Sequence, residues 1–220
     1  MVRKMKSKAK QKRMNQRHIL NVLASPWKTY RKCVWPETKG FLKARSGLIL
    51  DLGCGSGRNF EQVKDRIVGL DFSENMLKFA KQCKKERNID AGLVCGNLTS
   101  LPFEDETFDA AICISTLQCI EGKQNRKKAL KELHRAMKKN GELLISCWNR
   151  DQQRFRGKRE DFIPWSFEGR KLMRYYYLFG QKELQKLLES AGFEIMELRG
   201  SEAKAFRLFP KNIIATARKI

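Results

Sequence analysis

Two carboxylates and three glycines carry the most chemical information in this chain. Asp51 closes the apolar run Leu48-Ile49-Leu50-Asp51 and opens D-L-G-C-G-S-G, in which Gly53, Gly55 and Gly57 alternate with small residues. Glycines in that rhythm suit a tight turn that can bring backbone N–H groups up to a ligand. A phosphate loop of the P-loop type needs Gly-Lys followed by Ser or Thr, and that pair is missing. A dinucleotide loop spaces its glycines G-x-G-x-x-G, and here the third comes one place early. Asp71 ends a second apolar run, residues 67–71 (IVGLD). It lies close to the spacing at which an acid accepts hydrogen bonds from ribose hydroxyls, and one carboxylate can serve two cis hydroxyls.

Such residues must be set at strand ends by strands and helices in alternation. After the glycine loop, residues 59–64 are expected to continue as a helix. Ser73 is placed to cap a helix over residues 74–85. A third strand, residues 93–97, ends in Asn97, with Leu98 following it. A fourth, residues 108–115, ends in Ser115. Ligands lie beyond the carboxyl ends of such strands, so the stretch from Ser115 to Cys119 should face the reacting end of a ligand. Leu130, Leu133 and Met137 share one face of a helix expected over residues 129–139, with Asn140-Gly141 as its stop. Residues 142–148, 193–198 and 213–217 read as further strands, and residues 181–190 as a helix. Residues 149–170 lack periodicity, and 149–179 reads as an inserted lid or substrate segment. Upstream, residues 18–45 read as two short helices, the second opened by Pro36. The organisation is thus a basic tail, residues 1–17, and one domain, residues 18–220.

The chain has 220 residues, 41% of them hydrophobic, enough for one domain with a real core. No apolar run approaches a membrane span, and no leader-like segment opens the chain, so a membrane role is not expected. Seven cysteines without a C-x-x-C pair, and two histidines, fit a reducing compartment and no internal metal site. The strongest bulk signal is charge: 46 Lys and Arg against 24 acids, a net +22. A surplus of this size points to an anionic partner, nucleic acid first. The tail is basic throughout and can add RNA affinity or a nuclear address.

The segment D-L-G-C-G-S-G resembles motif I of class I S-adenosylmethionine-dependent methyltransferases, and DFSENML (residues 71–77) their motif II. With LVCGN (residues 93–97) and the fourth strand, the cofactor motifs run in order over residues 48–148. The resemblance implies an α/β, Rossmann-like fold: a mostly parallel seven-stranded sheet with helices on both faces. It implies S-adenosyl-L-methionine as cofactor, held by Asp51, Gly53, Gly55, Gly57, Asp71, Asn97, Leu98 and Ser115, with Asn97 meeting the adenine amino group.

The flanks narrow the resemblance. Arg31 followed by Trp35-Pro36, then WNRDQ (residues 148–152), Pro164-Trp165, Arg174-Tyr175-Tyr176 and Leu178-Phe179, are similar to segments of wobble-uridine tRNA methyltransferases. That family methylates the carboxylate of 5-carboxymethyluridine at the anticodon. The resemblance implies a tRNA substrate, a small zinc-binding activator protein as partner and a cytoplasmic location. An exposed apolar surface around residues 93–95 is expected for the activator. Arg31 and Arg174 are the candidate catalytic cations, since a guanidinium fork matches a carboxylate or a phosphate. Tyr175 and Tyr176 are candidates for stacking on a base, with core packing as the alternative. Gln118-Cys119 stands where the family shows a His pair, and Asn212-Ile213-Ile214 where it shows Asn followed by aromatics. Two other readings stay open: a methyltransferase acting on a small molecule or protein, and a non-catalytic RNA-binding relict.

Overall fold

The computed structural model describes residues 15–30, 34–155, 157–200 and 212–220. Arg31 and nearly all of the basic tail lie outside the described residues. Two helices come first, α1 (Gln16–Tyr30) and α2 (Pro36–Lys43), with Pro36 at the first turn of α2 as expected. Strands β1 (Leu48–Leu52), β2 (Arg66–Asp71) and β3 (Ala91–Cys95) follow, with α3 (Glu74–Glu86) between the last two. Then come β4 (Phe108–Ile114), α4 (Lys123–Ala136) and β5 (Met137–Trp148). The rest is β6 (Glu160–Phe167), β7 (Arg170–Tyr177), α5 (Gln181–Glu189), β8 (Phe193–Arg199) and β9 (Asn212–Lys219).

Seven strands form one sheet in the order β3-β2-β1-β4-β5-β9-β8. The first five are parallel to their neighbours, and β9 runs antiparallel to both β5 and β8. Side chains of a strand alternate between faces, and β1 shows what this does. Leu50 and Leu52 join the core under α4 and α5 (Leu130, Leu133, Leu184, Leu188). Ile49 joins the opposite core under α2 and α3 (Phe41, Leu42, Ala80). The sheet is therefore covered on both faces, as a parallel sheet requires. Chain order reverses at β1, with β2 and β3 on one side and β4 and β5 on the other. This switch point opens a crevice beyond the carboxyl ends of β1 and β4.

Four expectations change. Residues 59–64 are not helical: the turns Gly57 N–H to Cys54 O and Phe60 N–H to Gly57 O lead into an irregular segment. The Phe60 ring is fully buried and lies where a Cβ on Gly57 or Gly69 would sit, so packing of that ring overrides helix continuation. The helix expected over 129–139 begins earlier and ends at Ala136, and residues 138–141 loop out between the pairs Phe108–Met137 and Ala110–Glu142. Asn140, at φ +62°, makes this loop-out rather than a helix stop. β3 ends at Cys95, two residues early, which leaves Asn97 in a turn. Finally, most of the expected lid is a hairpin of β6 and β7, closed by Glu168-Gly169 with both residues at positive φ. Two such residues match a tight hairpin turn, and Pro164 is tolerated because β6 is an edge strand.

Candidate active site

The cleft at the switch point is lined by Gly53, Gly55, Asp71, Leu98, Ser115 and Thr116, with Leu20 and Trp27 of α1 closing its outer side. Five of the expected cofactor residues therefore meet here. The glycine loop holds its shape through its own backbone. Gly53 and Cys54 N–H both donate to Leu70 O (2.7 and 3.0 Å), and Gly57 N–H donates to Cys54 O (3.1 Å). Gly55 N–H donates to Asp71 Oδ2 (2.9 Å). These N–H groups are used within the protein, so what the loop offers a ligand is bare Cα surface, not donors. A Cβ on Gly53 would overlap the Thr116 side chain, whereas a Cβ on Gly55 would meet nothing within 4 Å. That open space is a cradle facing the cleft.

Asp71 ends β2 against the loop. Its other oxygen, Oδ1, accepts from Ser73 N–H (2.8 Å). Each oxygen keeps a lone pair for a ribose hydroxyl. Burial raises its pKa from 3.8 to about 6, and the N–H groups of Ser73, Gly55 and Phe72 hold it from rising further.

Asp51 is completely buried beneath the loop, and neither carboxylate oxygen has a hydrogen-bond partner at bonding geometry. Burial raises its pKa from 3.8 to about 7; the Arg58 charge opposes this, Asp71 adds to it, and the Asn59 amide nearby offsets a little. Buried polar groups are normally paired, and an orphaned carboxylate marks a site whose partner is a ligand. The α-ammonium group of S-adenosylmethionine supplies such a partner. The residues present fit that cofactor: Asp71 would take the ribose hydroxyls and Leu98 with Phe72 would wall the base, while Asp51, buried behind the loop and off the cleft lining, would answer the charge of the ammonium.

Asn97 stands apart from the cleft, and Ser115 lines it in a strained conformation. Asn97 is exposed and borders a neighbouring depression with Phe72, Cys95 and Gly96, not the cleft. Its Oδ1 accepts from Thr99 N–H and Thr99 Oγ1 (both 3.0 Å), so the carbonyl expected to meet the adenine amino group is taken up by a local turn. Ser115 sits at φ +57°, a left-handed conformation costly for a residue with a side chain, and its N–H donates to Ser146. The end of β4 thus carries backbone strain on the cleft lining.

The acceptor side is built by β5, the β6–β7 hairpin and α1. Arg174 is buried, with Trp165 (4.7 Å), Tyr176 (5.2 Å) and Trp27 (5.4 Å) around its guanidinium. It donates to Tyr176 Oη (2.8 Å), its Nε has no partner, and among the described residues no carboxylate pairs with it. Tyr175 and Tyr176 are buried too. Tyr176 stacks on Trp148 (4.4 Å, 13°), and Tyr175 Oη donates to Glu160 (2.9 Å). Neither ring presents a free face, so both are packing residues here. Gln118 is buried, its Oε1 accepting from Trp148 N–H (2.6 Å), while Cys119 lines the cleft.

α1 is the part of the site that no motif announced. Its only sequence signal is the spacing of Ile19, Leu23 and Ala24, which marks a buried face and not a ligand wall. Trp35, expected as part of the entry segment, lies under the Arg58 guanidinium (5.1 Å) at the glycine loop.

Residues 50–145 match the family of methyltransferase domains. The chain carries a class I, S-adenosylmethionine-dependent methyltransferase domain. Among solved structures, this methyltransferase fold is similar to CcbJ of Streptomyces caelestis (TM-score 0.74, 16% identity, 94% of this chain and 99% of that one). It also resembles an S-adenosylmethionine-dependent methyltransferase of Methanosarcina mazei (TM-score 0.70, 21% identity, 86% and 99%). Likeness at such identities speaks to the fold alone. In sequence, an Encephalitozoon cuniculi protein named as a methyltransferase is 28% identical over 82% of this chain and 88% of its own length. The human "Probable tRNA methyltransferase 9B" is 32% identical over 70% of this chain. Mouse ALKBH8, named a tRNA (carboxymethyluridine(34)-5-O)-methyltransferase, is 32% identical over 64%. The methyltransferase described here spans 34% of the human relative and 21% of the mouse one.

Proposed function

We propose that this methyltransferase acts on tRNA and transfers the methyl group to the carboxylate of 5-carboxymethyluridine at the wobble position. One observation carries the reading: Arg174, a buried guanidinium without a carboxylate partner among the described residues, beside Trp27 at the mouth of the cofactor cleft. A buried, unpaired charge is costly, and an anionic ligand removes that cost. The names of the tRNA-directed relatives and the net charge of +22 support the same substrate class.

The cofactor supplies a methyl group on a positively charged sulfur with a neutral leaving group. A carboxylate acceptor is ionised at neutral pH and needs no general base. No histidine is among the described residues lining the cleft. The task left to the chain is to hold the acceptor anion and align it, and a guanidinium fork suits that task. Arg31 keeps its proposed part in anion contact, though it lies outside the described residues. The proposal includes a small zinc-binding activator on β3. That strand is one edge of the sheet, with Leu93 and Val94 half-buried and Cys95 exposed, which is where an added strand or loop can pair.

Nucleoside mass spectrometry of tRNA from cells lacking the gene tests the reading. Accumulated 5-carboxymethyluridine, or its amide, is expected. An unchanged profile, together with methylation of a small molecule or protein by the purified chain, would overturn it.

A further inference from the structure

The connector between β5 and β6 carries a cluster of cations that the cofactor site does not use. Arg154, in the short 3-10 turn Gln153–Phe155, lays its guanidinium against the rings of Phe155 (4.2 Å) and Trp148 (4.9 Å). Trp148 stacks on Tyr176, Tyr176 lies beside Arg174, and Arg174 reaches Trp27 at the cleft. A continuous ladder of rings and guanidiniums thus links the outer surface to the reaction site. Beside it is an open depression lined by Arg150, Gln153, Gly157, Lys158 and Arg159, with Asp151 as its one acid. Two of these cations are neutralised: Arg150 by Glu183 (3.5 Å), Lys158 by Asp161 (2.9 Å). Among the described residues, neither Arg154 nor Arg159 pairs with a carboxylate. Burial against the rings holds Arg154 below the usual guanidinium range, Asp161 and Tyr176 act the other way, and the Arg174 charge adds to the lowering. The Arg174 charge thus lies within electrostatic reach of Arg154, and Asp161 offsets it without pairing with Arg154.

We propose that this connector is a phosphate track for single-stranded RNA, with Arg154 and Arg159 gripping backbone phosphates of nucleotides next to the one whose base reaches Arg174. The charge demands a polyanion, and the stacked rings suit the flat guanidinium that positions a phosphate. A nucleotide carrying its acceptor to Arg174 must have phosphates on either side, and the ladder leads from one to the other. The inference rests on the tRNA reading above and adds the surface that the RNA crosses.

Fluorescence anisotropy with a labelled anticodon stem–loop, read across a salt series, tests it on the full chain. Arg154→Ala with Arg159→Ala should weaken binding about tenfold near 0.1 M salt and flatten the salt slope by about 1.4 to 2, the share of two phosphate contacts. Cofactor affinity, measured by calorimetry, should not change and reports that the variant is folded. Lys131→Ala with Lys182→Ala removes the same charge from exposed positions on α4 and α5. This control should keep the parent slope. If the first pair binds RNA like the parent, or the control loses as much, the track is wrong while the tRNA reading stands. If the parent protein binds no RNA at all, the tRNA reading falls and takes the track with it.

Discussion

Replacing Asp51 by Asn separates the cost of burying this acid from its use. Folding raises the Asp51 pKa from 3.8 to about 7. That displacement corresponds to about 4 kcal/mol against the ionised form, an order of magnitude set mainly by burial. The folded chain holds this proton between those two values while the unfolded chain has released it. Stability of the cofactor-free protein is therefore greatest below about pH 4 for this group and is lost as pH rises through about 7. Asp71, raised to about 6, acts in the same direction and remains in the variant. Asp51→Asn removes the Asp51 share, so the cofactor-free variant should be more stable than the parent at pH 8 and nearly equal to it at pH 4. Even a quarter of the 4 kcal/mol, about 1 kcal/mol, shifts the melting point of a chain of this size by about 2–4 °C. With cofactor the order reverses: an ammonium beside the carboxylate restores an ordinary pKa, so the parent gains from binding and the variant does not. Binding to the parent should also release a proton near pH 6.5, seen by calorimetry in buffers of different ionisation enthalpy. Melting curves at the two pH values, with and without cofactor, decide the matter. A variant no more stable than the parent at pH 8, or one that keeps full cofactor affinity, refutes the reasoning.

Further substitutions probe the other parts. Gly53→Ala and Gly55→Ala both force a side chain onto positive φ, but only the first also overlaps Thr116. Thermal melts should show Gly55→Ala losing about 1 kcal/mol and Gly53→Ala clearly more, while calorimetry shows cofactor affinity reduced in both, because the Gly55 methyl fills the cradle. Arg174→Met should leave stability unchanged or raise it, since a buried unpaired charge gives way to an apolar chain, while methylation of carboxymethyluridine-containing tRNA falls by a hundredfold or more, about 3 kcal/mol. Burial, helped by the Lys219 charge, lowers the His134 pKa below 6.5 although Gly192 opposes it. Its stabilising share is present above pH 6.5 and lost as pH falls through the folded value, so His134→Gln should reduce the drop in melting point between pH 7 and pH 5.

Much of the cofactor half was legible because its signals are local. Strands β1, β2 and β4 are short apolar runs, and Ser73 does cap α3, its Oγ accepting from Met76 N–H (3.2 Å). The glycine loop was legible in kind and not in detail. Its spacing shows that side chains are excluded, but only the fold shows that Leu70 O and Asp71 consume its donors. Asn97 was misplaced because a two-residue shift at the end of β3 converts a strand-end amide into a turn residue. The hairpin was hidden because its strands mix Pro164, Arg174 and a Glu-Gly turn, a weaker signal than Asn-Gly. For Tyr175 and Tyr176 the sequence left base stacking and core packing both open. On a strand, however, adjacent residues face opposite ways, and each side turned out to be covered, by Glu160 and Phe162 on one and Trp148 on the other.

α1 explains how the two halves of the site come to act on one substrate. On its cofactor side, Asn21 Oδ1 accepts from the Ser73 hydroxyl (2.6 Å), and Arg17 pairs with Glu74 (2.9 Å), both at the start of α3. On its acceptor side, Gln16 exchanges hydrogen bonds with the Tyr175 backbone (3.0 and 3.3 Å), and Trp27 stacks on Trp165 (5.4 Å). The same helix places Leu20 and Trp27 over the cleft and one wall of the Arg174 cage against the hairpin. The cleft and the Arg174 cage therefore share one element. The segment that joins the halves belongs to neither motif set: one wall of the Arg174 cage comes from a helix held at Ser73 and Glu74, where α3 begins.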